Sequence, residues 1–325
     1  MQAVSAFIRA PGGPDVIEWQ DILLPEPQSG EIRIRHEAIG VNYLDTYHRD
    51  GTYPIDLPGK LGVEAAGVVE KIGPDVQGFQ LGDRVATFGP ARGAYASASL
   101  VSARSLFKLP DPISSEVAAA SLLKACTVEA LVERCAKVES GWPVLVHAAA
   151  GGVGLILVQW LKAIGAIVIG TVSTPEKAAA AQAAGCDHII RYQNENVAHK
   201  VREITDGKGV RVVFDGIGMA TWDISLKSLT PRGLLVNFGN AGGSVSGVNL
   251  AALAAHGSLF VTRPTVFDYY ANSEDRSAGA VRIFDMISSG KIHITIGQRY
   301  ALADAAKAHV DLEAGRTSGS SILLP

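Results

Sequence analysis

The sequence contains no long hydrophobic run and no marked excess of either charge. Its 325 residues include 29 Lys and Arg and 32 Asp and Glu, which gives a formal net charge of −3 at pH 7. This balance provides no general attraction to nucleic acid or to an anionic membrane. No stretch approaches the roughly 20 apolar residues of a transmembrane helix, and the residues after Met1 do not form a signal segment. We expect a cytoplasmic protein with neither a membrane nor a nucleic-acid partner.

Cysteine is scarce and histidine is scattered. The three cysteines, Cys126, Cys135 and Cys186, are odd in number and far apart, so they suggest neither a disulfide framework nor a CxxC metal knuckle. None of the eight histidines shows the paired spacing of metal ligands. We therefore expect no bound metal.

Several catalytic motifs are also missing. No tyrosine is followed four residues later by lysine, as it is in short-chain reductases, and there is no GxSxG nucleophile motif. The sequence "HRD" at His48 to Asp50 lacks the asparagine of a kinase catalytic loop, because Ile55 stands at that place. We predict that these three residues form a turn.

The patterns that are present indicate two domains, as the length also does. Short alternating strands such as "EIRIRHEAIGVN" fill the first third, and an alanine-rich helix follows from Ser114 or Ser115. Apolar strands then alternate with amphipathic helices, which is typical of a parallel sheet covered on both faces. We predict an α/β protein in which residues 1–125 and 265–325 form a β-rich catalytic domain and residues 126–264 form a doubly wound Rossmann domain.

The stretch "HAAAGGVGLILVQW", His147 to Trp160, lies between a predicted strand and a predicted helix. It resembles the GxGxxG dinucleotide turn with alanine, Ala149, in place of the first glycine. The alanine is tolerated there if its φ stays negative. The turn keeps an open surface for a pyrophosphate at the helix N-terminus, and the residues predicted to bind it are Gly151, Gly152, Val153 and Gly154.

The second strand of the predicted Rossmann domain indicates which dinucleotide binds. No acidic residue ends it to hold a ribose 2′-hydroxyl, whereas Ser173, Thr174 and Lys177 follow it and Tyr192 ends the next strand. Hydroxyls and a lysine suit a 2′-phosphate, which favours NADPH. The alternative is that Lys177 is an ordinary solvated helix residue.

Several ordered motifs resemble the medium-chain dehydrogenase/reductase superfamily. They include "LGVEAAGVV", "GDRV" and "AAGGVG", and within the superfamily "AIGVNYLDTYHRDGTYP", "GTVSTPEK", "FGNAGG" and "GSLFVTRP" resemble the zinc-free quinone oxidoreductase branch. That branch includes zeta-crystallin and bacterial NADPH:quinone reductases. The resemblance implies a GroES-like fold for the β-rich domain.

The zinc ligands of the alcohol dehydrogenases in this superfamily are replaced. Asn42 stands where those enzymes have a cysteine, and Val63 stands where they have the histidine of Gly-His-Glu. Without a Lewis acid, hydride transfer needs an acceptor that is already electron-poor. The predicted activity is a zinc-independent transfer of hydride or electrons from NADPH to a quinone in the interdomain cleft, with protons from solvent.

The resemblance also implies further site residues. Asn42 would contact the nicotinamide and the acceptor. Tyr47 and Tyr53 are assigned to the acceptor by their own chemistry, because their phenols can donate hydrogen bonds to a quinone oxygen while their rings form apolar walls. The other implied nicotinamide contacts are Thr127, Phe238, Gly239 and Asn240, and Arg263 would lie near the phosphates or the cleft. The plainer alternatives are a turn-forming role for Asn42, core packing for the two tyrosines and a surface salt bridge for Arg263.

Two other functions remain open from the sequence. A conjugated alkenal or enone would accept hydride as a quinone does, and a nucleotide-binding structural or RNA-binding protein of the zeta-crystallin type would use the same fold without catalysis. The β-branched strand "GSLFVT", near the edge of the nucleotide domain, resembles the strand that pairs across a two-fold axis in members of this family, which implies a homodimer.

Overall fold

The computed structural model describes every residue from Met1 to Pro325. Contacts between Cα atoms divide the chain into two compact units. The first consists of Met1–Lys124, Asn272–Ser288 and Ile294–Pro325, and the second consists of Ala125–Ala271 and Ser289–His293.

Sixteen strands and ten α-helices account for the regular structure. The strands are β1 (Gln2–Ile8), β2 (Glu18–Leu23), β3 (Glu31–Val41), β4 (Gly59–Lys60), β5 (Glu64–Ile72), β6 (Arg84–Phe88), β7 (Ala98–Ser102), β8 (Leu106–Lys108), β9 (Pro143–Val146), β10 (Ile167–Val172), β11 (His188–Arg191), β12 (Val210–Asp215), β13 (Leu229–Asn237), β14 (Phe260–Thr262), β15 (Ile296–Ala301) and β16 (Ser320–Leu324). The helices are α1 (Tyr43–Asp50), α2 (Ser115–Glu129), α3 (Gly152–Ile164), α4 (Pro175–Ala183), α5 (Val197–Ile204), α6 (Trp222–Ser228), α7 (Ala251–Ala255), α8 (Val266–Tyr269), α9 (Ser273–Ser288) and α10 (Ala305–Glu313).

The strand pairs of the first unit are antiparallel, except that β15 and β16 are parallel. A seven-stranded sheet has the order β15-β16-β3-β5-β6-β8, with β7 paired to β3, and β1 pairs with β2 and β4 in a three-stranded sheet. Strand β3 shows why the alternating pattern predicts a strand: Ile32 and Ile34 are fully buried, whereas Arg33 is half-buried and Arg35 is exposed.

Helix α1 is a departure from the sequence prediction. His48, Arg49 and Asp50 form its last turn, not an isolated turn, and the helix ends at Gly51 in the left-handed conformation with φ 85°. Tertiary contacts explain the error, because His48 and Arg49 are buried polar residues in a helix that has little apolar sequence of its own. By contrast, Ser114 caps α2 as predicted, accepting a hydrogen bond from the Val117 N–H over 3.2 Å.

The second unit is a six-stranded sheet with the order β11-β10-β9-β12-β13-β14, and every adjacent pair is parallel. Its strands are apolar runs because helices cover the sheet. Leu145, Ile169 and Val213 are fully buried in a core cluster that also includes residues of α5 and α6. Chain order reverses between β9 and β12, which makes this the topological switch point of the sheet.

The unit boundaries differ from the predicted domain boundaries at Ala125, which belongs to the second unit, and in two short segments. Residues 265–271 and 289–293, predicted in the first domain, contact the second unit. Arg134 Nη1 donates to the carbonyl oxygen of Tyr269 over 2.9 Å, and Gln159 Oε1 accepts from the His293 N–H over 2.8 Å. These hydrogen bonds join residues more than 130 positions apart, which sequence pattern does not reveal. No helix of the chain is long and apolar enough to cross a bilayer.

Candidate active site

Most of the predicted cofactor residues lie at one edge of the parallel sheet. Each group follows the carboxyl end of a strand. Four groups begin at the next residue: Ser173 and Thr174 after β10, Tyr192 after β11, Phe238–Asn240 after β13, and Arg263 after β14. The fifth group, Gly151–Gly154, follows β9 after a short turn. In open parallel sheets this edge, at the switch point, is where ligands bind. The fold therefore brings together residues that are up to about 110 positions apart in the chain.

The turn before α3 has the geometry of an anion site. Gly151 is the residue before the helix, with φ −76° and ψ 174°, and Gly152 begins the helix, so the first N–H groups of α3 are free of helical partners. Gly154 lies against the turn itself, because a Cβ there would be 2.7 Å from the Ala149 carbonyl carbon and 2.8 Å from its oxygen. The left-handed residue is Ala148, with φ 52°, while Ala149 keeps a negative φ. These residues fit a dinucleotide pyrophosphate.

The residues after β10 form a polar helix start. Thr174 precedes Pro175, the first residue of α4, and its side chain accepts a hydrogen bond from the Lys177 N–H over 3.3 Å. Partial burial lowers the pKa of the Lys177 ammonium. On the neighbouring strand, the Tyr192 N–H donates to the Val172 carbonyl over 3.2 Å, which places Tyr192 beside the end of β10.

Arg263 holds the loop after β13. Its Nη1 donates to the Asn237 side-chain carbonyl and, over 2.7 Å, to the Gly239 carbonyl. The Phe238 ring packs against Gly216, where a Cβ would be 3.1 Å from two ring carbons. Arg263 thus positions the loop that contains three predicted nicotinamide contacts, a role that sequence reasoning did not consider.

A buried network behind this edge was also missed. Asp215, at the end of β12, accepts hydrogen bonds from the Ile217 and Gly218 N–H groups and from the Ser225 hydroxyl over 2.8 to 3.0 Å. His147 bridges Ser225 Oγ at 3.2 Å and Thr171 Oγ1 at 3.1 Å. Burial lowers the pKa of His147. The sequence contains one sign of this network: "DGIG" begins at the last residue of β12, which indicates another loop at the same edge of the sheet.

The three predicted acceptor contacts, Asn42, Tyr47 and Tyr53, lie in the first unit around α1. Asn42 is the N-cap residue of this helix and is buried, and its backbone N–H donates to Asp45 Oδ2 over 2.9 Å. The rings of Tyr47 and Tyr53 meet edge to face with centroids 5.2 Å apart. Thr127, by contrast, lies on α2 and belongs to the second unit.

Asn42 contacts a buried charge pair. Its Nδ2 donates to Glu64 Oε2 over 2.9 Å, and the Lys124 ammonium lies 3.6 Å from the same oxygen. Burial raises the pKa of Glu64, and the nearby Lys124 acts in the opposite direction. Burial likewise raises the pKa of Asp45 to about 7.

A chain of hydrogen bonds continues from Asp45. Its Oδ2 accepts from the Tyr95 hydroxyl over 3.2 Å, and that hydroxyl lies 2.9 Å from His309 Nε2. Arg49 Nη1 lies 3.2 Å from His309 Nδ1, and the Arg49 guanidinium pairs with Glu313 at 2.7 Å. Burial and the Arg49 charge lower the pKa of His309 to about 3.

The chain has no group of three or more His, Cys, Asp or Glu side chains positioned to hold a metal ion. Glu64 and Asp45 are the acidic groups near Asn42. The Glu64 oxygens accept from Asn42 and Leu123 and lie beside the Lys124 ammonium. Asp45 Oδ2 accepts from the Asn42 N–H and the Tyr95 hydroxyl. Two carboxylates are fewer than the three protein ligands of a catalytic zinc. The residues present do not fit a catalytic zinc.

Two family models match the chain. The alcohol dehydrogenase GroES-like domain matches residues 28–111, and the zinc-binding dehydrogenase model matches residues 152–284. A quinone oxidoreductase of Pseudomonas aeruginosa is 49% identical over 315 residues, which are 97% of each chain. The chain belongs to the quinone oxidoreductase branch of the medium-chain dehydrogenase/reductase superfamily. This membership confirms the resemblance, the predicted GroES-like and Rossmann fold class and the prediction that the protein is an oxidoreductase.

Two further relatives bear on cofactor and substrate. The crystal structure of Escherichia coli quinone oxidoreductase complexed with NADPH superposes with a TM-score of 0.97 at 44% identity, covering 99% of this quinone oxidoreductase and 100% of that chain. A 2-haloacrylate reductase of a Burkholderia species is 42% identical over 329 residues, 99% of each chain.

Proposed function

We propose that this quinone oxidoreductase transfers a hydride from NADPH to a quinone without zinc. When bound, NADPH supplies the hydride, which carries two electrons and one proton, and a second proton from water completes the hydroquinone while NADP⁺ is left. The observation that carries this proposal is the convergence of the glycine turn, the Thr174 and Lys177 segment and the Phe238 to Asn240 loop at one edge of the parallel sheet.

NADPH rather than NADH is supported by the end of β10. Ser173 and Thr174 offer hydroxyls, Lys177 offers a cation, and none of the three positions carries the acidic side chain that would repel a 2′-phosphate. The Escherichia coli relative was solved with NADPH. We assign Tyr192, which is 52% exposed beside the end of β10, to the 2′-phosphate end of the cofactor.

Zinc independence is supported by the donor set. Asn42 and Val63 are not zinc ligands, and the buried Glu64 already has partners. The protein groups then bind and orient the cofactor and the acceptor and exclude water from them. This is sufficient for an acceptor that is already electron-poor. We assign Asn42, Tyr47 and Tyr53 to the acceptor and Thr127, Phe238, Gly239 and Asn240 to the nicotinamide.

An electron-poor alkene is a second candidate acceptor. The 2-haloacrylate reductase relative is named for a substrate whose C=C bond is conjugated to a carboxylate. Hydride addition to such a bond, followed by protonation of the neighbouring carbon by water, needs the same cofactor geometry as quinone reduction. The two candidates therefore differ in the acceptor pocket and not in the fold.

We also propose that the protein is a homodimer. Strand β14 ends the parallel sheet and pairs only with β13, so one of its edges has no strand partner within the chain. Phe260 and Val261 on this strand are 62% and 37% exposed. An exposed apolar edge is suited to pairing with a second copy. Light scattering is expected to give twice the chain mass, and Val261→Pro is expected to give the monomer.

An acceptor panel tests the proposed activity. Chelator-treated protein is mixed with NADPH and, in turn, 1,4-benzoquinone, 9,10-phenanthrenequinone, 2-chloroacrylate and a simple aldehyde, and each assay is repeated with NADH. Oxidation of NADPH by the quinones, with little by the aldehyde, is expected. Faster turnover of 2-chloroacrylate would reassign the acceptor.

The non-catalytic alternative has its own result in the same experiment. Tight NADPH binding, measured by quenching or enhancement of the nicotinamide fluorescence, together with no turnover of any acceptor would support a nucleotide-binding structural protein. Loss of quinone turnover on chelation, with recovery on adding zinc, would contradict zinc independence.

A further inference from the structure

Glu64 is a fully buried carboxylate with a complete set of partners. It is 0% exposed at the start of β5. Oε1 accepts from the Leu123 N–H over 2.7 Å, and Oε2 accepts from Asn42 Nδ2 over 2.9 Å. A carboxylate in such a place is costly unless it is paired and hydrogen-bonded, and here both conditions are met.

Lys124 provides the opposite charge at a cost of its own. The residue is 6% exposed, its Nζ lies 3.6 Å from Glu64 Oε2, and Nζ makes no hydrogen bond. A buried ammonium without a hydrogen bond destabilises the fold unless attraction to a nearby carboxylate offsets the cost of burying its charge. Its nearest anionic partner is the oxygen that also accepts from Asn42.

Gly40 makes the approach of Glu64 possible. The glycine lies in β3, two residues before Asn42, and a Cβ there would overlap both Glu64 Oε2 and the Ala119 carbonyl oxygen. Any larger side chain would displace the carboxylate. The strand that leads to Asn42 is thus shaped to admit the Glu64 side chain.

The contacts of Asn42 define the orientation of its amide. The backbone N–H is held by Asp45 Oδ2, and one of the two Nδ2 hydrogens is donated to Glu64. The amide nitrogen therefore faces Glu64 and its oxygen faces away, which removes the ambiguity of an amide flip. The second Nδ2 hydrogen makes no hydrogen bond within the chain.

We propose that Glu64 and Lys124 are positioning residues, and that together they fix the Asn42 amide so that its second N–H is offered to a carbonyl oxygen of the bound nicotinamide or acceptor. Lys124 lies beside Glu64 Oε2, Glu64 holds the Asn42 amide, and Asn42 contacts the ligand oxygen. The inference rests on the proposed function, because it deepens the role assigned there to Asn42.

A double-mutant cycle tests whether Glu64 acts through Asn42. Asn42→Ala and Glu64→Gln are each expected to lower kcat by about tenfold, the size of one charge-assisted hydrogen bond. The KM for NADPH is expected to change much less, because the phosphate cradle is untouched. If Glu64 acts through Asn42, adding Glu64→Gln to Asn42→Ala lowers kcat no further. Equal, multiplicative losses in both backgrounds would overturn the proposal.

The amide orientation has a readout that needs no cofactor. In ¹⁵N-labelled protein the Asn42 side-chain amide is identified as the signal that Asn42→Ala removes. Glu64→Gln and Lys124→Met are expected to shift this signal. Lys124→Arg, which keeps the positive charge, is expected to leave the signal at its wild-type position. An unchanged signal in Glu64→Gln would contradict the positioning role even if activity falls.

Glu129→Gln is the matched control for burial. Glu129 is a buried carboxylate of the second unit that accepts from the Tyr270 hydroxyl over 2.9 Å and pairs with Arg134 at 2.8 Å. Glu129→Gln is expected to lower the free energy of unfolding without shifting the signal of the Asn42 side-chain amide. If the wild type binds NADPH but reduces no acceptor, the proposed function fails. The amide measurement still decides whether Glu64 orients Asn42.

Discussion

The Tyr95 hydroxyl donates a hydrogen bond to Oδ2 of the buried Asp45 over 3.2 Å. The direction of this bond follows from the neighbouring contacts. Arg49 can only donate, so His309 Nδ1 accepts from it and the ring proton lies on Nε2, which donates to Tyr95. The Tyr95 proton is therefore available to Asp45. One phenol thus satisfies two buried groups that come from distant parts of the chain.

Tyr95→Phe is expected to lower the free energy of unfolding by roughly 1–3 kcal/mol, because it leaves the buried His309 N–H without an acceptor and removes a donor from Asp45. Urea unfolding at pH 7 measures the loss. Tyr43→Phe is the matched control, since Tyr43 donates one half-buried hydrogen bond to the Leu312 carbonyl over 3.0 Å. A loss no larger than that of the control would show that the Tyr95 network contributes little.

Stability is expected to fall on acidification from pH 6.5 towards pH 4. Burial lowers the pKa of His36 to about 4, while the ordinary value is 6.5. In this range the unfolded chain binds a proton that the folded chain refuses, so the free energy of unfolding decreases with falling pH. His48 and His309 act in the same direction. Asp45 opposes them, because its raised pKa makes the folded form bind a proton that the unfolded chain has lost.

His36→Gln isolates one of these protons. The His36 ring contacts the Ala96 carbonyl at 2.7 Å and the Ser99 hydroxyl at 2.8 Å, and glutamine retains a donor and an acceptor. The slope of the free energy of unfolding against pH should decrease by roughly 1 kcal/mol per pH unit between pH 4.5 and 6. Urea unfolding at several pH values measures it. An unchanged slope would mean that His36 titrates alike in both states.

The sequence predicts the parallel domain well because the patterns that specify its strands, turns and helices are local. Continuous apolar strands, glycine turns and capped helices recur between Pro143 and Asn237, and strand order follows from right-handed connections. Residues placed directly after strands must then meet at one edge. This reasoning is sufficient to bring Gly151, Lys177 and Phe238 to the same side of the sheet.

The rest depends on contacts that no local pattern contains. The sequence predicts a turn at His48 to Asp50, but these residues end helix α1, where Arg49 is buried and pairs with Glu313, 264 positions away. Helix α10, which carries Glu313, was not predicted either. Similarly, Ala148 takes the left-handed conformation that favours glycine, because the chain must turn there between β9 and α3.

Gly151→Ala and Gly154→Ala should separate binding from stability. At Gly151 a Cβ would approach only the Ala148 oxygen, at 3.3 Å, so stability should change by less than about 1 kcal/mol. The added methyl would lie where a pyrophosphate approaches, and NADPH affinity should fall by about tenfold or more. At Gly154 a Cβ overlaps backbone of the turn, and stability should fall by about 1–3 kcal/mol.

Fluorescence titration and thermal unfolding of these two variants give the affinities and the stabilities. Unchanged NADPH affinity in Gly151→Ala would remove the turn from the cofactor site. Unchanged stability in Gly154→Ala would mean that α3 can move away from the turn at little cost.

Lys177→Ala tests the assignment of the 2′-phosphate. Lys177 follows the Thr174 cap in the first turn of α4, where a partly buried ammonium is available to a phosphate near the end of β10. Loss of a charge-assisted hydrogen bond of about 1.5–3 kcal/mol corresponds to a rise of about 10–100-fold in the KM for NADPH. The KM for NADH should change little, since NADH lacks that phosphate. Steady-state assays with both dinucleotides and one quinone measure the ratio.

Lys200→Ala is the matched control, because it removes a half-buried lysine of the same unit that pairs with Glu203 at 2.6 Å. It should change neither KM, which separates a local contact from the loss of one positive charge on the protein. Raising the ionic strength should narrow the NADPH preference of the wild type and leave that of Lys177→Ala almost unchanged. Equal effects of Lys177→Ala on both dinucleotides would show that this lysine does not contact the 2′-phosphate, and the preference would then have to come from Ser173, Thr174 or Tyr192.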